Sequence, residues 1–180
     1  MAKAFVATLL MLLTVAAVLV YRTGAYKEVV ISSGDQGPFV LIYKIHKGPY
    51  HKIVDVISEV EDFFFKKDLA CPIAFGLYLH DPNLVEQDRL ISHGGCVFTN
   101  LSQELLEVLK DTDLEIKNME KKEYVVATFD GSPSMGPIRV YPKVDSWLTK
   151  YGYKRKGPVL ELYQTLGDDK VLTRYLFEYE

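Results

Sequence analysis

One carboxylate lies at the centre of an apolar, strand-like stretch near the end of the chain. The stretch covers residues 157–164, reads GPVLELYQ and carries the acid at Glu161. An earlier stretch at residues 71–78, CPIAFGLY, is similar, and aligning the two places Gly76 at the position of Glu161. A repeated unit with an acid in one copy and an empty space in the other predicts a pocket at this position.

The alternation of the second stretch assigns its residues to two faces. On a strand, Val159, Glu161 and Tyr163 share one face, while Leu160 and Leu162 share the other. We expect the leucines to lie beneath a helix, so that Glu161 and Tyr163 face away from it. The alternative is a wet sheet face on which Glu161 is simply solvated.

A carboxylate among aromatic rings suits a small apolar or cationic ligand, through charge pairing, hydrogen bonding and ring contact. Burial would also raise the pKa of Glu161 and fit it for general acid or base catalysis. With Glu161 as the anchoring residue, the aromatic side chains that are candidates for the walls of a ligand cleft are Tyr163, Phe75, Tyr78 and Trp147. Trp147 falls on a helical stripe, so packing in the core is the alternative for it.

Other chemistries find little support in the sequence. We expect no metal, because metal-ligand spacing is absent among the four histidines, His46, His51, His80 and His93. No glycine-rich phosphate loop precedes a helix and no Gly-x-Ser-x-Gly elbow is present, so we expect no cofactor and no serine nucleophile. The 21 Lys and Arg residues against 24 Asp and Glu residues form no dense basic block, which disfavours nucleic-acid binding.

Apolar periodicity and turn signals predict the same element order in both halves of the chain. Strands of the first half are predicted at residues 26–32, 39–46, 73–80 and 89–98. Those of the second half are predicted at residues 114–119, 124–129, 159–166 and 171–179. The turn signal at residues 33–38 predicts that the first two strands form a hairpin.

Helices are predicted between the second and third strand of each half. The first begins at Pro49 and runs to Lys66, and the second runs from about Pro142 to Tyr151, since Gly136-Pro137 would break an earlier start. A short amphipathic helix at residues 100–110 links the halves. Two ββαββ halves predict an α+β domain with pseudo-twofold symmetry, an antiparallel sheet and helices on one face.

The N-terminal segment is built to sit in lipid. Residues 4–20 contain no charge, glycine or proline, and as a helix they would extend roughly 25 Å. We assign residues 1–25 to a single membrane anchor and residues 26–180 to one domain; a cleaved signal peptide is the alternative for the segment. Among the charged side chains that flank the segment, Lys3 precedes it and Arg22 and Lys27 follow it. This slight excess of positive side chains on the C-terminal side favours a cytosolic domain.

Only two cysteines occur, Cys71 and Cys96, too few for a disulfide-built scaffold. We expect both to be small buried hydrophobes, with a disulfide or a reactive thiol as the alternatives.

The duplicated pattern resembles the GyrI-like small-molecule-binding family, which shares its SOUL/GyrI-like fold with effector-binding domains of multidrug-responsive regulators. The features in common are a strand, a His/Asp-x-Gly-Pro-type turn, a helix and an apolar strand with Leu-Glu-Leu-Tyr, over about residues 26–180. The resemblance implies that Glu161 lies in a ligand cleft between the halves. Some members hydrolyse strained cyclic toxins with the cleft acid, so a hydrolase using Glu161 is an alternative function.

Four stretches also resemble ER-phagy receptors, which begin with a single membrane helix: residues 43–50, 126–129, 139–145 and 160–164. This likeness implies an endoplasmic reticulum or other endomembrane anchor with the domain in the cytosol. Because the chain stops at Glu180 without the disordered tail that carries the receptors' autophagy motif, we expect their activity not to carry over. The sequence therefore predicts a non-enzymatic, membrane-anchored ligand-binding or adaptor protein. A pure protein-interaction module at the membrane is a further alternative.

Overall fold

The computed structural model describes residues 2–167 and 170–180. Its helices are α1 (Ala2–Thr23), α2 (Ile53–Phe65), α3 (Gln103–Leu109), α4 (Gly136–Arg139) and α5 (Tyr141–Lys150). Its strands are β1 (Val29–Gln36), β2 (Phe39–Lys47), β3 (Ile73–Tyr78), β4 (Ile91–Phe98), β5 (Glu115–Met119), β6 (Lys122–Phe129), β7 (Arg155–Thr165) and β8 (Val171–Tyr179). Short 3-10 turns occupy Tyr50–Lys52, Gln87–Arg89 and Pro133–Met135. The α+β class and the predicted order of strands and helices are confirmed, except that the additional helix α4 begins at Gly136, where Gly136-Pro137 was expected to prevent one.

Eight strands of the described residues form one antiparallel sheet in the order β1-β6-β8-β7-β3-β4-β2-β5. The central pair, β7 and β3, brings one strand from each half together. At the two edges, the first strand of each half pairs with a strand of the other half, β1 with β6 and β5 with β2.

The predicted hairpin of the first two strands is therefore wrong. β1 runs along β6 from the pair Val29 and Phe129 onward, and β2 lies between β4 and β5. This arrangement buries Val29 and partly buries Ile31 among apolar side chains of the second half. The turn pattern between β1 and β2 is local and carries no information about such a distant partner.

The helices pack on one face of the sheet, where two apolar clusters lie. The α5 core consists of Val29, Val125, Ala127, Phe129, Val140, Val144, Leu148, Val159, Tyr175 and Phe177. The α2 core consists of Ile42, Val60, Phe64, Cys96, Leu105 and Leu109. Because Val159 belongs to the α5 core, the face of β7 that carries Glu161 is the helix-covered one.

The opposite face holds a third cluster, the sheet core, to which no helix of the described residues contributes. Its members are Leu41, Tyr43, Phe75, Leu77, Val97, Tyr124, Val126, Leu160, Leu162 and Leu176. They come from six strands, so the sheet must curve around them. The expectation that the leucines of β7 lie beneath a helix is thus wrong: both faces of the central strands are buried, and the alternation alone does not say which face the helix covers.

Helix α1 is joined directly to the domain. The Ser132 amide donates a hydrogen bond to the Thr23 carbonyl at 2.9 Å, and the Lys27 ammonium contacts the Asp130 carboxylate at 3.0 Å. By length and composition Lys3–Thr23 fits a membrane-spanning helix, and a signal sequence would have the same character.

Cys71 and Cys96 form a disulfide at the α2 core, with a Cα–Cα distance of 5.4 Å. Cys96 is fully buried as expected, whereas Cys71 is only partly buried, and the disulfide is the alternative rather than the favoured expectation for both. The bond connects the segment before β3 to β4.

Candidate functional site

Glu161 lies at the junction of the two halves, on the central strand β7. Its Cα partner across the β3–β7 pair is Gly76, so the two residues that the sequence comparison aligned are direct neighbours in the sheet. Only 5% of Glu161 is exposed. A carboxyl group is rarely so deeply buried unless other groups satisfy it.

Tyrosine hydroxyls satisfy the Glu161 carboxylate. Tyr141, the first residue of α5, donates to Oε1 at 2.9 Å, and Tyr163 donates to Oε2 at 3.0 Å. The Tyr78 hydroxyl lies 2.9 Å from that of Tyr163. Since the Tyr163 proton points to the carboxylate, Tyr78 must donate to the Tyr163 oxygen. The result is a hydrogen-bonded chain from Tyr78 through Tyr163 to Glu161, closed on the other side by Tyr141.

Gly76 makes room for this chain of hydroxyls. A Cβ atom there would lie 3.0 Å from the Tyr78 hydroxyl and 3.1 Å from the Tyr163 hydroxyl. The hydroxyls of Tyr78 and Tyr163 therefore meet directly above Gly76, the residue of β3 that has no side chain. Gly76, which belongs to the first half of the chain, is therefore part of the site around Glu161, which belongs to the second half.

Burial dominates the electrostatics of the site. It raises the pKa of Glu161 to about 7, although the hydrogen bonds from Tyr141 and Tyr163 act in the opposite direction. Burial, together with the negative charge of Glu161, also raises the pKa of Tyr141, Tyr163 and Tyr78 above that of free tyrosine. The tyrosines therefore remain protonated donors, and the acid is the group that titrates near neutral pH.

Aromatic and charged residues contact the tyrosines of this group. The Tyr141 ring meets Phe177 edge to face at 5.2 Å, and the Arg155 guanidinium lies 5.2 Å from the centre of the same ring. The Tyr50 ring meets that of Tyr78 at 4.8 Å. Tyr141, Tyr163 and Tyr78 are each half-buried, whereas the Glu161 side chain that they surround is buried; we call these three residues the tyrosine cover.

The structure brings together three of the five residues selected from the sequence. Glu161, Tyr163 and Tyr78 form the hydrogen-bonded chain. Phe75 is fully buried in the sheet core on the opposite face, so it does not line a cleft at Glu161. Trp147 packs against the α5 core and the Tyr151 ring, which is the core position that the sequence analysis gave as the alternative to a cleft position.

Tyr141 is the site residue that sequence reasoning missed. It precedes Glu161 by 20 residues and reaches it only because the first turn of α5 lies over β7. Tyr141 immediately precedes Pro142, where the helix was expected to begin, but the expectation that Glu161 faces away from that helix removed Tyr141 from consideration.

This arrangement can hold a proton or bind a positively charged group at Glu161. A buried acid that titrates near neutral pH can exchange its proton for a cation, or can act as a general acid or base. Tyrosine hydroxyls beside it can donate to a polar group of a ligand. Within the described part of the chain no group of three or more His, Cys, Asp and Glu residues is arranged to hold a metal ion.

Comparison with known proteins gives a consistent result. A family model described as the GyrI-like small molecule binding domain matches residues 35–179. The EcmrR C-terminal domain is similar in structure, with a TM-score of 0.63 and 14% identity over 86% of this chain and 99% of that one. SAV2435 bound to tetraphenylphosphonium has a TM-score of 0.50 and 15% identity over 86% of this chain and 94% of that one.

A third similar structure is a hydrolase from Listeria innocua, with a TM-score of 0.52 and 15% identity over 85% of this chain and 91% of that one. Such identities show a shared fold. No curated protein sequence matches the chain significantly.

Proposed function

The chain belongs to the family of GyrI-like small-molecule-binding domains, and we propose that its own domain binds a small apolar or cationic molecule at Glu161, next to a membrane that holds α1. Tyr141, Tyr163 and Tyr78 are the residues that would contact the ligand around the acid. In this proposal the ligand enters between these rings and its polar or charged group reaches the carboxylate.

The observation that carries the proposal is the buried carboxylate whose hydrogen-bond donors are tyrosines rather than a lysine or arginine. Removing a carboxylate from water is unfavourable, and a fixed counter-charge is the usual compensation in a structural role. Here the compensation is incomplete, since the pKa of Glu161 stays raised. A ligand cation would supply what the chain leaves out, and aromatic faces around it would contribute cation–π contact.

Tetraphenylphosphonium is a suitable probe, because the similar SAV2435 structure contains it. We expect the full chain in lipid nanodiscs to bind this cation, measured by equilibrium dialysis against protein-free nanodiscs. Glu161→Gln keeps the shape of the side chain and one accepting oxygen, removes the charge, and places an NH2 donor where the other carboxylate oxygen accepts. We expect this variant to lose at least tenfold in affinity, about the effect of one charge-assisted contact.

Glu123→Gln is the matched control, since Glu123 is an exposed residue of β6. It should bind as the unchanged protein does. Equal affinity in the Glu161→Gln variant, with the fold intact by circular dichroism, would show that the cation binds elsewhere.

A hydrolase is the second candidate, favoured by one observation. A carboxyl group with a pKa near 7 beside tyrosine hydroxyls has the character of a general acid or base, and one similar structure is that of a hydrolase. Turnover of cyclopropane-type toxins that persists in Glu161→Gln would exclude this role for the acid.

We also propose that α1 anchors the protein in the endoplasmic reticulum or another endomembrane, with the domain in the cytosol. The apolar length of Lys3–Thr23 and the flanking cations Arg22 and Lys27 support this proposal. A relation to ER-phagy receptors, or a role as a protein-interaction module, would appear as membrane pull-down partners that persist in Glu161→Gln.

A further inference from the structure

Arg155 lies beside the Glu161 site, next to Tyr141. Its guanidinium lies 5.2 Å from the centre of the Tyr141 ring, whose hydroxyl donates to Glu161. Its Nε lies 3.3 Å from the Asp145 carboxylate on α5, and its Nη2 lies 4.0 Å from the Asp81 carboxylate. One side chain thus lies over the tyrosine that contacts the acid, forms an ion pair with Asp145 and lies at the limit of ion-pair distance from Asp81.

The two carboxylates come from different halves of the chain. Asp81 lies in the connection between β3 and β4, whereas Asp145 and Arg155 belong to the second half. A ligand that reaches Glu161 must separate the covering tyrosines, and Tyr141 moves only if α5 or its own side chain moves. Both movements disturb the contacts of Arg155, because it pairs with Asp145 of α5 and lies within ion-pair distance of Asp81 in the first-half connection.

We propose that Arg155 is a latch on the Glu161 site: by bridging Asp81 and Asp145 over the Tyr141 ring, it keeps the tyrosine cover closed until a ligand displaces it. This inference rests on the proposed binding function and adds the control of access to it. The resident guanidinium already occupies a face of the Tyr141 ring, and a cation that enters past this ring competes with it for that contact. Entry of a cation therefore exchanges one positive group on that ring for another.

Two variants separate the latch from a simple charge effect. Arg155→Gln removes the bridge together with a positive charge. Asp81→Asn removes the bridge but leaves Arg155 charged, and its remaining side-chain oxygen can still accept the hydrogen bond from the Asn83 amide. If the latch exists, both variants bind tetraphenylphosphonium faster, by about two- to fivefold in association rate, the range expected for partly exposed ion pairs. If Arg155 only repels cations, Arg155→Gln binds faster and Asp81→Asn binds more slowly, which overturns the proposal.

Lys156→Gln is the matched control, because Lys156 is the adjacent residue of β7 and pairs with Glu180 at 2.8 Å, away from Tyr141. Its association rate should equal that of the unchanged protein. Slower binding in both latch variants would mean that Arg155 only supports the structure of the site, and equal rates in all four proteins would mean that it controls nothing.

A second measurement needs no ligand, so failure of the latch can be distinguished from failure of the binding function. Hydrogen–deuterium exchange of the full chain in nanodiscs reports opening of the first turn of α5, residues 141–144. We expect faster exchange there in Arg155→Gln and Asp81→Asn, and no change in Lys156→Gln. Unchanged exchange in the two latch variants overturns the latch even if the cation binds.

Discussion

At the scale of single residues, the charge of Glu161 should make the stability of the protein depend on pH. Its pKa is about 7 in the folded protein, against an ordinary value of 4.5. Between these values the folded protein keeps a proton that the unfolded chain has lost, so the free energy of unfolding falls as pH rises. The total change is about 3 kcal/mol, complete above pH 7. Denaturant unfolding in detergent at pH 5 and pH 8 measures it.

The Glu161→Gln variant should lose this decrease, because it has no group to titrate, whereas Glu123→Gln should keep it. A decrease of the same size in Glu161→Gln would assign the effect to other groups. The affinity for a cation should change in the opposite direction: a cation should bind more tightly above pH 7, where Glu161 is ionised.

Gly76 provides a second test at this scale. In Gly76→Ala the new methyl group would press against the Tyr78 and Tyr163 hydroxyls at 3.0 Å and 3.1 Å and separate them. We expect a loss of about 1–3 kcal/mol in the free energy of unfolding, as for other overpacked sites, together with weaker tetraphenylphosphonium binding. Gly34→Ala is the control, since a Cβ at this strand glycine meets nothing within 4 Å. Equal stability of the two variants would contradict the close approach.

The sequence predicted the central features of the site but not its whole composition. Glu161 could be found because an acid stands out in an apolar run, and Gly76 because the two similar stretches align. Tyr141 could not be found, because its contact with Glu161 depends on where α5 crosses β7. Phe75 was assigned to the cleft because it is aromatic, although alternation along β3 puts it on the other face.

At the scale of elements, the pairing of β1 with β6 can be tested on two adjacent valines. Val29 is 7% exposed in the α5 core, whereas Val30 is 61% exposed. Val29→Ala should lower the free energy of unfolding by about 1–3 kcal/mol through the cavity it leaves, and Val30→Ala by less than about 0.5 kcal/mol. Chemical denaturation of both variants provides the measurement. The opposite order would contradict the register of β1.

The types of the elements were predictable, because apolar residues recur with different periods in helices and strands. The pairing of the strands in the sheet was not predictable. The pairing of β1 depends on burial against residues from the other half of the chain, which no local pattern encodes. The helix-covered face was also ambiguous, because Leu160 and Leu162 find their burial in the curved sheet rather than under α5.

At the scale of the whole molecule, the orientation in the membrane can be tested on vesicles with protease and thiol reagents. A cytosolic domain should be digested from outside, and once it is unfolded Cys71 and Cys96 should react with an alkylating reagent without prior reduction, because the cytosol keeps thiols reduced and Cys96 is buried in the folded domain. The Cys71–Cys96 bond is the observation that counts against this orientation. A protected domain whose cysteines react only after reduction would place it on the oxidising side of the membrane.

The exchange of edge strands also determines when the domain can complete itself during synthesis. Val29 pairs with Phe129, so β1 leaves the ribosome long before its partner exists. At about 5 to 20 residues per second, the ribosome needs roughly 5 to 20 seconds to make the intervening chain. Throughout that interval the backbone groups of β1 lack the β6 strand with which they pair in the folded protein. The newly made chain therefore exposes an unpaired strand edge, the kind of surface on which chains aggregate, until translation reaches the second half.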